Sequence, residues 1–354
     1  MDKLISQDSL DVIRTLGNLN ERFAGKKVLI TGAAGFLGVQ FVHYFCKLND
    51  EKALSTPVQV LALDSFIRGK PNWIMHCEKR PDIKFEKIDI TKPFQIPKDV
   101  GFIIHAASIA SPIFYRQFPI ETMDANVIGL RNLLDFATHS MLESFLFFSS
   151  SEIYGDPDPS SIPTTETYRG LVSCTGPRAC YDESKRYGET LCVNFFKTHQ
   201  APVKIARPFN NYGPGLKISD RRVIPDLFRD VLSDRNLVLL SDGRATRTFC
   251  YVSDALNGYL RLLLCNENGE AFNIGTDKPE ISMRDLANLV VQISGKPLQV
   301  QFQKSGDSDY LTDNPQRRCP NIEKARTILG YEPLVALEEG LARCFRYYLS
   351  HRDE

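Results

Sequence analysis

The stretch that decides the fold is KKVLITGAAGFLGVQFVHYFCKL, residues 26–48. It opens with a short apolar, β-prone run and passes at Phe36 into a helical pattern. Between the two lie Gly32, Gly35 and Gly38, spaced GxxGxxG rather than the commoner GxGxxG. Gly32 permits a tight exit from the strand, Gly35 lets a pyrophosphate approach the backbone, and Gly38 lets the helix pack closely on the sheet. The helix start, with Phe36 and Leu37 in its first turn, offers free N–H groups and a partial positive charge to phosphates. Strand, glycine turn and helix in this order predict a dinucleotide-binding unit.

Outward from this unit the same alternation continues. VQVLALD (58–64), IKFEKIDI (83–90), VGFIIHAAS (100–108), FLFFSSS (145–151) and PVKIARPFN (202–210) read as strands, and ANVIGLRNLLDFATHS (125–140) as a helix. Near-continuous apolar strands separated by helices predict an α/β protein with a Rossmann-type, doubly wound parallel sheet covered on both faces. The texture changes beyond about residue 212, at YGPGLKISDRR. Residues 26–211 are therefore expected to form the cofactor domain. Residues 212–354 are expected to form a smaller mixed α/β substrate-binding lobe, with some segments returning to the first domain. Residues 1–25 read as a polar, partly helical extension ahead of the fold proper.

Composition narrows the function. Lysine plus arginine and aspartate plus glutamate balance at 43 each, so no global field favours nucleic acid or an anionic membrane. No apolar run approaches the roughly 20 residues that span a bilayer, and the N-terminus lacks the apolar core of a signal peptide. The nine cysteines show neither C-x-x-C nor zinc spacing, so reduced thiols, no metal and a cytoplasmic protein are expected.

Chemistry-bearing residues follow the strands. Asp64 ends the second strand, where a carboxylate can accept both ribose hydroxyls and would repel a 2′-phosphate, favouring NAD over NADP. Arg68 is the opposing signal, since an arginine can hold that phosphate. Tyr181 and Lys185 stand four apart and so on one helix face; an ammonium there can stabilise a tyrosinate, whose ordinary pKa of about 10 makes it a poor base near neutrality. Ser149, Ser150, Ser151 and Glu152 arrive at the C-terminal end of a strand, the side on which parallel sheets bind ligands. A hydroxyl there could share an alcohol proton with Tyr181. A carboxylate beside a hydride-transfer centre points to chemistry beyond simple alcohol oxidation.

The glycine pattern with Y-x-x-x-K resembles the extended short-chain dehydrogenase/reductases of the NAD-dependent epimerase/dehydratase type. That resemblance implies an adenine contact at Asp89-Ile90 and a cofactor contact at Ala106-Ala107 in His105-Ala106-Ala107-Ser108. It also places a helix asparagine at Asn126 and the family's hydroxyl at Ser150. Further stretches resemble NDP-glucuronate decarboxylases, the UDP-xylose synthase group: Ala110-Ser111-Pro112 with Tyr115, Ser151-Glu152-Ile153-Tyr154-Gly155-Asp156-Pro157, Arg178 to Arg186, Ala206 to Pro214 with Asn210, and Thr246-Arg247-Thr248-Phe249. Pro320-Asn321-Ile322 and Leu329 to Pro333 extend it, so that it covers roughly residues 26–345. The implied reaction is NAD-dependent oxidation at C4 of UDP-glucuronate or a related sugar, loss of carbon dioxide from C5, and hydride return. Ser111, Tyr115, Glu152, Arg178, Asn210, Arg222, Arg247 and Arg318 would contact this substrate, the arginines suiting carboxylate and diphosphate. A homodimer built on the helices around Asn126 and Tyr181–Glu189 is also implied. The chain departs from the family at Phe148, Arg169, Gly176-Pro177 and Gly215. A nucleotide-sugar 4,6-dehydratase, a 4-epimerase and a non-catalytic NAD-binding regulator stand as alternatives.

Overall fold

The computed structural model describes residues 2–306, 312 and 314–351. Its centre is a sheet of seven strands: β1 (Lys27–Thr31), β2 (Gln59–Asp64), β3 (Ile83–Lys87), β4 (Val100–His105), β5 (Ser144–Phe148), β6 (Val203–Pro208) and β7 (Ala271–Ile274). They lie in the order β7-β6-β5-β4-β1-β2-β3, and every neighbouring pair is parallel. Chain progression reverses between β1 and β4, and that switch point opens a crevice at the carboxyl ends of the strands. β4 and β5 are buried along their whole length, as their unbroken apolar runs require in a sheet covered on both faces.

Residues 1–25, expected ahead of the fold proper, pack into it. The helix α1 (Lys3–Leu16) is capped by Asp2, whose carboxylate accepts from the Leu4 and Ile5 N–H groups. Its buried Ile5, Val12, Ile13 and Leu16 lie on the face that meets α2 (Phe36–Asp50) and the helix Val252–Leu264. The sequence shows Asp8 as one more polar residue; the fold buries it and gives it two donors, Tyr251 Oη at 2.7 Å and Arg343 Nη1 at 2.8 Å. Arg343 belongs to the last helix (Leu337–Ser350), so α1 ties α2 to the last helix of the chain.

Beyond residue 212, helices Val223–Leu232 and Met283–Ser294 pack with the last helix over short strands. Among these strands Arg317–Arg318 pairs in parallel with Thr246–Arg247, setting Arg318 directly opposite Arg247. Directly opposed residues present their side chains to one face. No helix among the described residues is long and apolar enough to cross a membrane.

Candidate active site

At the switch point the glycines have the expected geometry. Gly32 holds φ +69°, and a Cβ there would lie 2.6 Å from the Ala107 Cα. A Cβ on Gly38 would collide with the Gly32 carbonyl. No side chain caps α2 at Gly35, so its first N–H groups stay open to a phosphate. Asp64 accepts from Ala34 N at 2.9 Å and Phe66 N at 2.7 Å, which moulds the glycine turn around the carboxylate. Burial pushes the Asp64 pKa up, against the pull of those two N–H groups. These features fit an NAD: a backbone cradle with room only for glycine, an open helix start, and an acid at the ribose.

Across the crevice, the helix Ala179–His199 carries Tyr181 and Lys185. The Tyr181 ring stacks on Tyr115, with centroids 5.1 Å apart and planes within 13°. Lys185 is fully enclosed, and its Nζ donates to the Phe148 carbonyl at 2.7 Å. Phe148, unusual for the family, turns its ring into the core against Phe41 and Tyr259 while its carbonyl anchors the lysine. Burial raises the Tyr181 pKa to about 12, an effect the nearby Ser150 hydroxyl opposes. Desolvation lowers Lys185 to about 7. The pair as it stands is thus an un-ionised phenol beside a weakly basic amine; a tyrosinate needs positive charge brought into the cleft.

The sugar end is governed by arginine. Arg318 grips the Glu152 carboxylate with two bonds, Nη1 to Oε1 at 2.5 Å and Nη2 to Oε2 at 2.6 Å, and Arg178 Nη2 donates to the same Oε2. Burial works against ionisation of Glu152, but Arg178, Arg318 and Arg247 overcome it and hold the pKa at about 2. Arg247 donates only to neutral oxygens, those of Thr246, Asn314, Pro315 and Gln316. Among the described residues it has no carboxylate partner. Burial, and then the charge of Arg318, pull the Arg247 pKa down to about 9.

One cavity of about 2370 Å³ runs from the glycine turn to these arginines, more than twice the space that a drug-sized ligand takes. It is lined by Gly32, Gly35, Phe36, Leu37, Gly38, Asp64, Asp89, Ile90, Ala106 and Ala107 at one end. Tyr115, Ser150, Ser151, Glu152, Arg178, Tyr181, Lys185, Asn210, Arg222, Arg247 and Arg318 line the other. Two expected contacts stand behind the wall. Asn126 is fully buried in a π-helical turn and donates to Ser184 Oγ at 2.9 Å, beside Lys185 in sequence. Ser111 Oγ donates to the Asp220 carbonyl at 2.8 Å. Neither lines the cavity; Ser111 holds the lining residue Asp220, and Asn126 holds Ser184, next to Lys185.

The sequence model of the NAD dependent epimerase/dehydratase family matches residues 28–275. The chain belongs to that family. It is 36% identical over 323 residues to UDP-glucuronic acid decarboxylase 1 of Xenopus tropicalis, covering 91% of this chain and 72% of that protein. To UDP-glucuronic acid decarboxylase 3 of Arabidopsis thaliana it is 37% identical over 319 residues, covering 89% and 86%. Among solved structures, UDP-glucuronic acid 4-epimerase from Bacillus cereus, in complex with UDP-glucuronic acid and NAD, superposes with a TM-score of 0.77 at 28% identity over 92% of this chain and 99% of that one. The family is one of enzymes and its cofactor is NAD.

Sequence reasoning missed Asp220, Asp2 and Ile5. The first pairs with Arg68 and Arg222, and the other two lie on the cavity wall. No local pattern marks them. Gly215, a departure from the family, sits at φ +89°, where a Cβ would fall 2.8 Å from Gln40 Nε2 and 2.9 Å from Val39 Cγ1. Packing against α2 leaves no room there for a longer residue.

Proposed function

We propose that this enzyme decarboxylates UDP-glucuronate to a UDP-pentose through a transient C4 ketone. One observation carries the reading: Arg178, Arg318 and Arg247 converge beside Tyr181 around Glu152. Arg178 and Arg318 bind its carboxylate, Arg178 also reaches Asp182 at 3.8 Å, and Arg247, among the described residues, meets only neutral oxygens. A neutral hexose would leave that positive charge uncompensated, whereas a hexuronate brings a carboxylate to it. The named decarboxylases with 36 and 37% identity support the same substrate.

NAD⁺, when bound, supplies a hydride acceptor for C4 and a positive charge near Tyr181. With that charge present, Tyr181 takes the C4 hydroxyl proton, helped by Ser150, and Lys185 holds the site's polarity from behind. A C4 ketone makes the C5 carboxylate a β-keto acid. Cleavage of its C–C bond releases carbon dioxide and leaves the electron pair in an enolate across C4–C5. Before the substrate arrives, Arg178 and Arg318 hold Glu152 ionised, and its carboxylate in turn organises those two guanidinium groups. A proton from water then enters at C5 and restores the C4 ketone. Tyr181, protonated in the first step, gives its proton to the C4 oxygen when hydride returns to C4. Ser151 lies beside Glu152 on the same wall as a further hydroxyl for the sugar, and Asn210 and Arg222 suit the diphosphate end.

Incubation with NAD⁺ and UDP-glucuronate, followed by mass spectrometry, tests this. A product 44 mass units lighter and released carbon dioxide are expected. A hexuronate of unchanged mass with inverted C4 would instead assign 4-epimerase activity, and water loss from an NDP-hexose a 4,6-dehydratase.

The exposed Ile120, Met123, Ile128 and Tyr187 lie on helical segments that pack together around the Tyr181 helix. They support a homodimer through that face, which light scattering would measure, in a cytoplasmic enzyme.

A further inference from the structure

Arg68 lines the cofactor end of the cavity four residues beyond Asp64, and its guanidinium is turned toward Asp220. Nη1 donates to Asp220 Oδ2 at 2.9 Å, and the guanidinium lies over the Phe114 ring, 4.2 Å from its centroid. The Asp220 side chain is 4% exposed, against 34% for Arg68, so the carboxylate is the fixed partner. Its other oxygen meets Arg222 Nε at 2.9 Å. The other cation on this wall loop, Lys70, is bound to Glu78 at 2.7 Å. His43, also on the wall, is held neutral near pH 7, because burial lowers its pKa to about 4. A 2′-phosphate placed beside Asp64 would therefore face a carboxylate and find both cations of the wall loop already paired.

We propose that Asp220 sets the preference of this enzyme for NAD over NADP by holding Arg68 away from the cofactor ribose. The inference rests on the cofactor site alone and not on which sugar is transformed. Asparagine at 220 removes the negative charge and leaves Arg68 and Arg222 repelling each other. Arg68, held then only by Phe114 and at most a neutral amide oxygen, is released toward the ribose, where it can pair with a phosphate. Asp220 acts through Arg68 and is a positioning residue.

The test is binding, read from the single tryptophan, Trp73, which lines the same cavity, as it transfers excitation to NADH or NADPH. Wild type should favour NADH. D220N should bind NADPH at least fivefold more tightly than wild type does, with NADH changed less than twofold. The double variant R68A/D220N should lose that gain, which a purely structural effect of D220N would not do. Unchanged NADPH affinity in D220N, or a gain that persists in the double variant, overturns the proposal. Should D220N fail to fold, R68A alone decides. An NADPH affinity within twofold of wild type upholds a sequestered Arg68, and a fivefold loss shows that Arg68 already serves the phosphate. None of these readouts needs turnover, so failure of the decarboxylase reading would not affect them.

Discussion

The two ends of the cavity are built in opposite ways. At the cofactor end, Gly32, Gly35, Gly38 and Asp64 come from 33 consecutive residues, and one strand-turn-helix-strand unit sets their geometry. At the sugar end, Glu152, Arg178, Arg247 and Arg318 come from four places spread over 167 residues and meet only in the folded chain. A local site can be recognised from spacing because the backbone enforces it. A cluster of like charges must be held by the whole fold, because each guanidinium is repelled by the others and kept in place by carbonyls and by the carboxylates of Glu152 and Asp182.

Perturbations should separate the two ends. The largest effect is expected for Tyr181→Phe at their junction. Turnover should fall by about 10²–10⁴-fold, the usual worth of a positioned general base, while NADH binding measured by Trp73 fluorescence changes little. If turnover survives, the base lies elsewhere. Arg318→Ala breaks the bidentate grip on Glu152 at the sugar end. Loss of one partner of an enclosed ion pair costs about 3–5 kcal/mol. The KM for UDP-glucuronate should rise at least tenfold with cofactor affinity preserved, and a fall in cofactor affinity of similar size would dissolve the contrast between the ends. Gly38→Ala, at the cofactor end, forces a methyl group against the Gly32 carbonyl. It should cost about 1–3 kcal/mol in urea unfolding and weaken NADH binding, leaving the arginine cluster intact.

The smallest effect concerns α1, which belongs to neither end. Burial raises the Asp8 pKa from 3.8 to about 6 in the folded protein. A raised carboxylate pKa means that the folded state holds the proton more tightly. Its stabilising contribution is complete below about pH 4 and disappears as pH rises through 6. Asp8→Asn should remove this slope, at most about 1.4 kcal/mol per pH unit. Urea midpoints at pH 4.5 and 7 would show it, and an unaltered pH dependence would mean that Asp8 is ionised throughout.

Much of this architecture was legible beforehand. The strand runs lie where the sheet has its first six strands, since buried parallel strands are continuous apolar stretches and the glycine turn has one mechanical solution. Tyr181 and Lys185 share a helix face because i and i+4 always do. The pairing of Arg318 opposite Arg247 was not legible: two-residue strands carry no period, and their register comes from the lobe around them. Nor was Asp220, whose importance depends on Arg68, 152 residues away. The N-terminal residues misled for a related reason. Read alone, KLISQDSLDVIRTL is polar, but at helical spacing its few apolar residues form one stripe, which α2 and the helix Val252–Leu264 cover.

By itself, then, the sequence determined the parallel sheet, the nucleotide turn and the Tyr181–Lys185 pair, because each follows from steric rules acting over a few residues. Only the tertiary structure decided how the charges are shared: Glu152 with two arginines, Arg247, among the described residues, with neutral partners, Arg68 with Asp220. Electrostatic pairing depends on distance and burial, and chain folding sets both across separations that no local pattern records.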